Sequence, residues 1–326
     1  MDRITRRRVL GCVGIGALAG CLDGEPTSGS TDDTDGNGAD RGGNENGDGA
    51  DRDDRPPASC PDYGDHVDRV VCYGDAADEP VVLEPSADTI ELGEEITFTL
   101  SNGADERLNT NFYNWRVDKH VDGDWYHVAP LAYNEPLMFI DPGDRHAWTL
   151  TPTNDGIEAV DSVGWAGGTE DLSLRGLGGG HYAFRARGWF EGSRSEAILA
   201  FAATFALDAE PLTLTPTDAI EETTWEGETL VARSTRGEPN DENYRLGAYE
   251  LETVAEPSTE PRSMITEQVV RRNRLRDAIA LAVEHDASAV RLEEYNATHP
   301  IFGHDTDAVY EYQGSYYRVS TRELED

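Results

Sequence analysis

The sequence is poor in lysine and in long apolar runs, and both absences exclude classes of protein. Lys119 is the only lysine among 326 residues, and the basic side chains number 27 against 64 acidic ones. The formal net charge of −37 argues against nucleic-acid binding, because phosphate contacts depend on Lys and Arg. No apolar run approaches the roughly 20 residues of a membrane-spanning helix, which excludes an integral bundle of such helices.

Common catalytic motifs are also missing. The sequence has no His-Glu-x-x-His, no Gly-x-Ser-x-Gly, no phosphate-binding loop and no dinucleotide fingerprint. A mechanism that needs an amine would have to use Lys119, which we expect at the surface of a hairpin strand. His299, His304 and Asp305 would form a metal or acid–base site only by converging in one pocket, and a polar loop is favoured. We therefore predict no catalytic residue, no metal site and no cofactor, and an enzyme is the less favoured class.

The acidic residues are spread along the chain rather than clustered. Self-repulsion from so large a net charge opposes the compact state in dilute salt. At molar salt the Debye length falls to about 3 Å and most of this repulsion disappears. The composition therefore favours a protein that folds in concentrated salt, and binding of divalent cations is the alternative.

Residues 1–20 have the layout of a signal peptide. Thr5-Arg6-Arg7-Arg8-Val9-Leu10 opens an apolar run that is too short to span a bilayer, and the run ends in Leu18-Ala19-Gly20-Cys21. The first motif resembles the twin-arginine export signal, and the second resembles a lipobox, in which Cys21 is lipidated. With the acidity and the scarcity of lysine, the segment resembles surface lipoproteins of extremely halophilic archaea. The resemblance implies export of the folded chain through Arg6 and Arg7, and a lipid anchor that holds it on the extracellular face of the cell membrane.

Residues 21–59 predict a disordered acidic linker. Residues 22–59 contain eleven Asp and Glu, eight Gly and no aromatic residue, so they cannot bury enough surface to offset the entropy of ordering. Asp33-Thr34-Asp35-Gly36-Asn37-Gly38 matches the first half of a calcium loop. Asn44 stands where that loop needs a bidentate Glu, so a plain spacer is favoured.

Two cysteines, Cys60 and Cys72, remain besides Cys12 in the signal and Cys21. In an exported chain such a pair predicts a disulfide, which would close a short bridged segment, residues 60–79. A metal site that includes His66 is the alternative, but a fourth ligand is not evident.

Residues 80–216 show short period-two strands separated by turns. Asp122-Gly123 predicts a tight hairpin, and no helical period competes convincingly. The pattern is typical of an antiparallel β-sandwich, with Trp115, Trp148 and Tyr182 in its core.

The hairpin from Trp115 to Val128, the Pro142-Gly143 turn and Gly180-His181-Tyr182 resemble bacterial and archaeal immunoglobulin-like domains. The resemblance implies an immunoglobulin-like sandwich in which Tyr182 forms a tyrosine corner, although Phe184 stands where a half-cystine would be. Residues 151–179 are longer and richer in Gly than such domains usually need. We therefore predict a functional loop there, with Trp165 as a candidate ligand-binding aromatic.

Residues 217–326 predict a small α+β domain, with a helical pattern from Ser263 to His285. This pattern carries the basic cluster of Arg271, Arg272, Arg274 and Arg276. The cluster either docks an anionic partner or pairs with carboxylates of the same chain, and the second interpretation is favoured. Asn296-Ala297-Thr298 is an N-glycosylation sequon that we expect to be exposed.

The sequence as a whole favours a mainly β, non-catalytic, lipid-anchored surface protein that binds an envelope protein or a glycan. A protease inhibitor that presents residues 151–179 as a protruding loop is the alternative. A hydrolase sited in the C-terminal domain is less favoured still.

Overall fold

The structure is a computed structural model that describes residues 59–159, 168–190, 192, 197–257, 259–303 and 308–325. The predicted export signal with Arg6 and Arg7, the lipidation site Cys21 and residues 22–58 of the predicted linker lie outside the described residues. Trp165, His304 and Asp305 lie outside them as well.

The described chain is mainly β, as the sequence predicts. In chain order, the first twelve strands are β1 (Arg69–Cys72), β2 (Val81–Pro85), β3 (Thr89–Glu91), β4 (Ile96–Asn102), β5 (Leu108–Thr110), β6 (Arg116–Val121), β7 (Asp124–Ala129), β8 (Met138–Ile140), β9 (Arg145–Thr153), β10 (Asp171–Arg175), β11 (Gly180–Phe190) and β12 (Leu199–Asp208). The remaining elements are β13 (Ile220–Glu226), β14 (Thr229–Ser234), β15 (Arg245–Val254), β16 (Arg262–Ser263), α1 (Thr266–Val269), α2 (Asn273–Glu284), β17 (Ala289–Asn296), β18 (Val309–Tyr312) and β19 (Ser315–Glu323).

Among the described residues the strands form three sheets. In the first sheet the strand order is β1-β12-β11-β5-β8. Strand β3 also pairs with β12, and β6 pairs with both β11 and β7. The second sheet has the order β10-β9-β4-β2. The third runs β13-β14-β17-β15-β19-β18-β16. Each sheet contains parallel pairs, namely β1 and β3 on β12, β10 on β9, β14 on β17 and β16 on β18. The prediction of a purely antiparallel arrangement is therefore wrong.

The first two sheets enclose the N-terminal core, whose buried residues run from Val71 to Leu207. Phe98 of β4 and Phe184 of β11 stack at 4.3 Å between ring centroids and so join the two sheets. Trp115 and Trp148 pack beside Phe184, and both are at most 2% exposed. The sequence prediction that Trp115, Trp148 and Tyr182 lie in the core is confirmed. Strands β4 and β9 bury every second residue, whereas β11 is buried on both faces over residues 182–186.

The hairpin predicted from Asp122-Gly123 is present between β6 and β7. Both residues have positive φ, 53° and 95°, which a tight two-residue turn between right-twisted strands requires. This turn fixes the register of the two strands and thereby the face on which Lys119 lies.

Cys60 and Cys72 form the predicted disulfide, with their Cα atoms 5.8 Å apart. His66 is exposed and lies outside this bond, so the alternative of a metal site at these cysteines is not supported. The disulfide ties residue 60 to β1, which is hydrogen-bonded in parallel to β12 at the edge of the sheet.

Replacing both cysteines by serine is expected to lower the free energy of unfolding by about 3 kcal/mol, the chain-entropy value for so short a loop. Urea midpoints measured in molar KCl would test this, and wild type treated with a reductant should match the double variant. Equal midpoints for oxidised wild type and the variant would contradict the stabilising role of the bond.

The third sheet and both helices enclose the C-terminal core. Leu275, Ile279 and Ala282 of α2 pack against the sheet, chiefly onto β17 and β15. The single helix expected over Ser263–His285 is two helices, because the chain leaves helical geometry at Arg272, with φ −123° and ψ 80°. Neither described helix has the length and apolarity to cross a bilayer.

Candidate functional site

The two cores meet at a junction built by residues 265–276, which comprise α1, the break after it and the start of α2. At its centre, Lys119 Nζ of β6 lies 2.6 Å from Glu267 Oε1 of α1. The side chains are 11% and 3% exposed, so the ion pair is buried. The expectation of a surface Lys119 is therefore wrong. Strand β6 is buried on both faces over residues 117–119, and Glu267 covers the end of the Lys119 side chain.

Glycine allows the sandwich backbone to approach this ion pair. The N–H of Gly178 donates to the same Glu267 oxygen at 3.1 Å. A Cβ on Gly178 would lie 2.3 Å from the backbone nitrogen of Leu212, so a larger residue does not fit. The Tyr182 hydroxyl donates to the Gly178 carbonyl at 2.6 Å. Burial, and then the Glu267 carboxylate, raise the pKa of Tyr182 well above its usual value.

Arg271 fastens the break between the helices to the sandwich. Its guanidinium donates to the carbonyls of Gly176, at 2.9 Å, and of Arg175. Burial lowers the pKa of Arg271 to about 10, which still leaves the group charged at neutral pH. A buried charge held by carbonyl dipoles is a structural tie between the cores.

Arg276 makes a second tie of the same kind. Its Nη1 donates to the Ile157 carbonyl and its Nε to the Thr215 carbonyl, both at 2.7 Å. The residue is 1% exposed. Arg271 and Arg276 are thus withdrawn from solvent, and the hypothesis that all four arginines form one docking patch is wrong for these two. Arg271 lies in the break between the helices, and Arg276 lies on the buried side of α2.

Behind the junction, buried carboxylates hold a further arginine. Asp277 accepts hydrogen bonds from the Thr217 N–H and from Arg236 Nη2, both at 2.6 Å. Glu294 accepts from Arg236 Nε at 2.7 Å and also from Arg274 Nε. These acids were not singled out in the sequence, because buried and solvated acids look alike in so acidic a chain.

A cleft of about 980 Å³ opens along the junction. Its walls come from both cores: β6, β7, β11 and β12 on one side, and residues 263–267 with the β18–β19 turn on the other. Side chains that reach the cleft include His120, Tyr126, His181, Asp208, Glu311 and Tyr312. The lining holds the carboxylates of Asp122, Asp208, Glu267 and Glu311 against the single ammonium of Lys119, so the cleft is acidic.

Arg272 and Arg274 line a separate pocket of about 280 Å³, the arginine pocket, to which the mostly buried Arg271 also contributes. Its other walls include the aromatic rings of Tyr249, Phe302 and Tyr310. The arginine pocket therefore retains the accessible half of the predicted basic cluster. The break at Arg272 explains the division, because residues 271 and 272 lie between the two helices and follow no common helical face with residues 274 and 276.

The stretch of residues 151–179, predicted as a functional loop, is tied to the sandwich by strand pairing and hydrogen bonds in much of its described part. Residues 151–153 belong to β9, and β10 pairs with β9 in parallel. Asn154 Oδ1 accepts the Gly176 N–H at 2.9 Å, and Asn154 Nδ2 donates to the Leu177 carbonyl at 2.9 Å. A protruding inhibitory loop is therefore not supported by the described part, which serves the junction instead.

The sequon residue Asn296 ends β17, and its Oδ1 accepts the backbone N–H groups of Thr298 and Phe302 at 3.0 and 3.3 Å. Its glycosylation stays a prediction. His299 is exposed and is not among the residues lining the cleft or the arginine pocket. Within the described ranges no group of three or more His, Cys, Asp or Glu is arranged to hold a metal ion. No family model and no curated protein matches the chain.

Proposed function

We propose that the protein is a lipid-anchored, non-catalytic binding protein of the cell surface, and that the acidic cleft holds a neutral envelope glycan. The observation that carries the proposal is the cleft itself, which is large enough for several sugar rings and is walled by both cores. It combines aromatic rings with hydrogen-bonding side chains, and it has the wrong charge for an anionic ligand or for nucleic acid.

The sequence supports attachment to the membrane. The twin-arginine-like motif with Arg6 and Arg7, followed by Cys21, agrees with export of a folded chain and lipidation at that cysteine. The acidic linker would then hold the folded part away from the bilayer. The disulfide between Cys60 and Cys72 is compatible with an oxidising environment outside the cell.

Strand order supports an immunoglobulin-like sandwich as the scaffold. The run β7-β6-β11-β12 has the order C′-C-F-G, and β2-β4-β9 has the order A-B-E. The Tyr182 hydroxyl bonds to a carbonyl four residues upstream, as a corner tyrosine does. The stack of Phe98 on Phe184 joins the sheets where such domains often have a cystine. The departure is β10, which lies parallel to β9 where an antiparallel strand D is usual.

The chemistry of the cleft suits sugars. Tyr126 offers a flat apolar face, and the carboxylates of Asp208 and Glu311 can accept bonds from sugar hydroxyls. Hydrogen bonds to charged groups are stronger than neutral ones and keep their directionality in concentrated salt, where long-range electrostatic attraction is screened. A neutral ligand therefore gains hydrogen bonds from these carboxylates, whereas an anionic ligand would be repelled by them.

Tyr126→Ala is expected to weaken binding of neutral oligosaccharides released from cell envelopes by about tenfold or more, since it removes the apolar area of one aromatic face. Calorimetry in molar KCl would measure this. Trp225→Ala is the matched control, because Trp225 is a half-exposed aromatic outside the cleft and its loss should leave affinity unchanged. Equal loss in both variants, or no binding by the wild type, would rule out the cleft as a glycan site.

A further inference from the structure

We propose that the arginine pocket binds a small oxyanion, a solute that presents a phosphate, sulfate or carboxylate group. The proposal does not depend on the glycan function, because the arginine pocket and the acidic cleft have different linings and opposite charge. The proposal rests on the cavity, on the aromatic contacts of Arg272 and Arg274, and on the charges around these two residues.

Aromatic rings hold both arginines. The Arg274 guanidinium carbon lies 4.8 Å from the centroid of the Phe302 ring, and that of Arg272 lies 6.0 Å from the centroid of Tyr310. The N–H groups of a guanidinium lie in its own plane, where they can form a fork with two oxygens. An aromatic ring that packs on the flat face of the guanidinium leaves these N–H groups free to bind a ligand. The pocket thus presents two guanidinium groups, each with an aromatic ring against it.

The Phe302 ring is placed by a constrained backbone. Its φ is +62°, in the left-handed region that a bulky side chain rarely adopts. The side chain of Asn296 accepts its N–H, and the ring also meets Tyr249 edge to face at 6.1 Å. The fold therefore maintains an unfavourable conformation at the residue that supports Arg274.

The positive charge of Arg272 is not paired with a carboxylate of the described chain. Arg272 is exposed, and no carboxylate of the described residues lies within 4.0 Å of its guanidinium. Arg274 forms an ion pair with Glu294 through its Nε, and Glu294 also pairs with Arg236. The neighbouring Arg271 bonds to carbonyl groups. In a chain of net charge −37, positive charge without a local counter-ion is the feature that attracts an anion.

The size of the pocket sets the ligand class. About 280 Å³ accommodates an oxyanion group with a few more heavy atoms, and not a polymer chain. The first turn of α2 lies in the wall and has no side-chain cap, so its dipole adds to the attraction of the arginines for negative charge. Bidentate contact favours an oxyanion over chloride, which offers no pair of oxygens to the fork.

The test uses inorganic phosphate and the folded chain in molar KCl, so that only binding beyond that of chloride is seen. Saturable broadening of the ³¹P resonance of low-millimolar phosphate is expected with the wild type. Arg272→Gln should weaken it by about 10- to 100-fold, the effect of losing a charge-assisted bidentate contact. Sulfate should compete at similar concentrations.

Arg145→Gln is the matched control, because Arg145 is exposed, lies on β9 outside the pocket, and changes the net charge equally. It should bind phosphate like the wild type. A second arm uses phosphatidylglycerol vesicles, to separate a free solute from a lipid headgroup. Absence of saturable broadening, the same affinity in Arg272→Gln and wild type, or binding to vesicles without binding to phosphate would each overturn the proposal.

Discussion

Glu267→Gln is expected to lower the free energy of unfolding by about 3–5 kcal/mol, because it leaves buried cations without their carboxylate. Lys119 would lose its partner at 2.6 Å, and Arg271, whose hydrogen bonds go to carbonyl oxygens, would lose the nearby negative charge of Glu267. Lys119→Met should destabilise less than half as much, since Glu267 would retain the N–H of Gly178 and the nearby positive charge of Arg271. Urea unfolding in molar KCl, followed by tryptophan fluorescence, would measure both.

The control for this pair of variants is Glu252→Gln. Glu252 pairs with Arg318 at 3.3 Å, but the two side chains are 62% and 46% exposed, so the urea midpoint should hardly move. If Lys119→Met proved the more destabilising of the two buried variants, the positive charge of Arg271 would not be enough to stabilise the buried Glu267 carboxylate. The junction would then depend on a single ion pair.

Transfer from molar KCl to about 0.1 M KCl is expected to remove most of the stability of the folded part, since the Debye length grows to about 10 Å. Repulsion among the excess carboxylates acts over that distance, whereas the ion pairs act at contact and several are buried. Salt therefore weakens the repulsion more than the attraction. Near-UV circular dichroism and urea midpoints across a KCl series would follow the loss.

Sucrose provides the control for salt, because it favours compact states by exclusion from the surface without screening charge. It should restore much less stability than KCl at equal osmolality. A urea midpoint that stays constant between dilute and molar KCl would contradict the interpretation that the acidity is an adaptation to brine.

Local signals in the sequence were sufficient for the hairpin at Asp122-Gly123, the buried aromatics Trp115 and Trp148, and the disulfide. Each depends on residues close together in sequence or on a burial period of two. The parallel strands β1 and β10 could not be predicted in this way, because their partners lie far along the chain and a short strand has no pattern of its own.

Strand β13 was missed for a different reason. Six of its seven residues are exposed, and acidic residues such as Glu221 and Glu222 resemble a loop in an acidic sequence. It is an end strand of its sheet, where charged side chains discourage pairing with other molecules. Its Ile, Thr and Trp residues favour a strand and β14 supplies the hydrogen bonds, but with nearly every residue exposed the strand has no burial pattern to reveal it.

The candidate site was predicted only in outline. The cluster around Arg271 and Arg272 stood out because positive charge is rare here, but its division into buried and accessible halves depends on a helix break at Arg272. Nothing in the local sequence marks that break, since it contains neither Gly nor Pro. The cleft was not predictable, because its walls are brought together by the contact between the two cores.

The way in which Arg271 and Arg276 cross the junction has a consequence for mutational tolerance. Their guanidinium groups bind main-chain oxygens, among them those of Arg175 and Ile157, and every amino acid supplies such an oxygen. Substitutions at those two positions should leave the bridging bonds intact as long as the backbone path is kept. Substitutions of Arg271 or Arg276 should break these bonds. The residues that supply the carbonyl oxygens are therefore expected to tolerate many more substitutions than the two arginines.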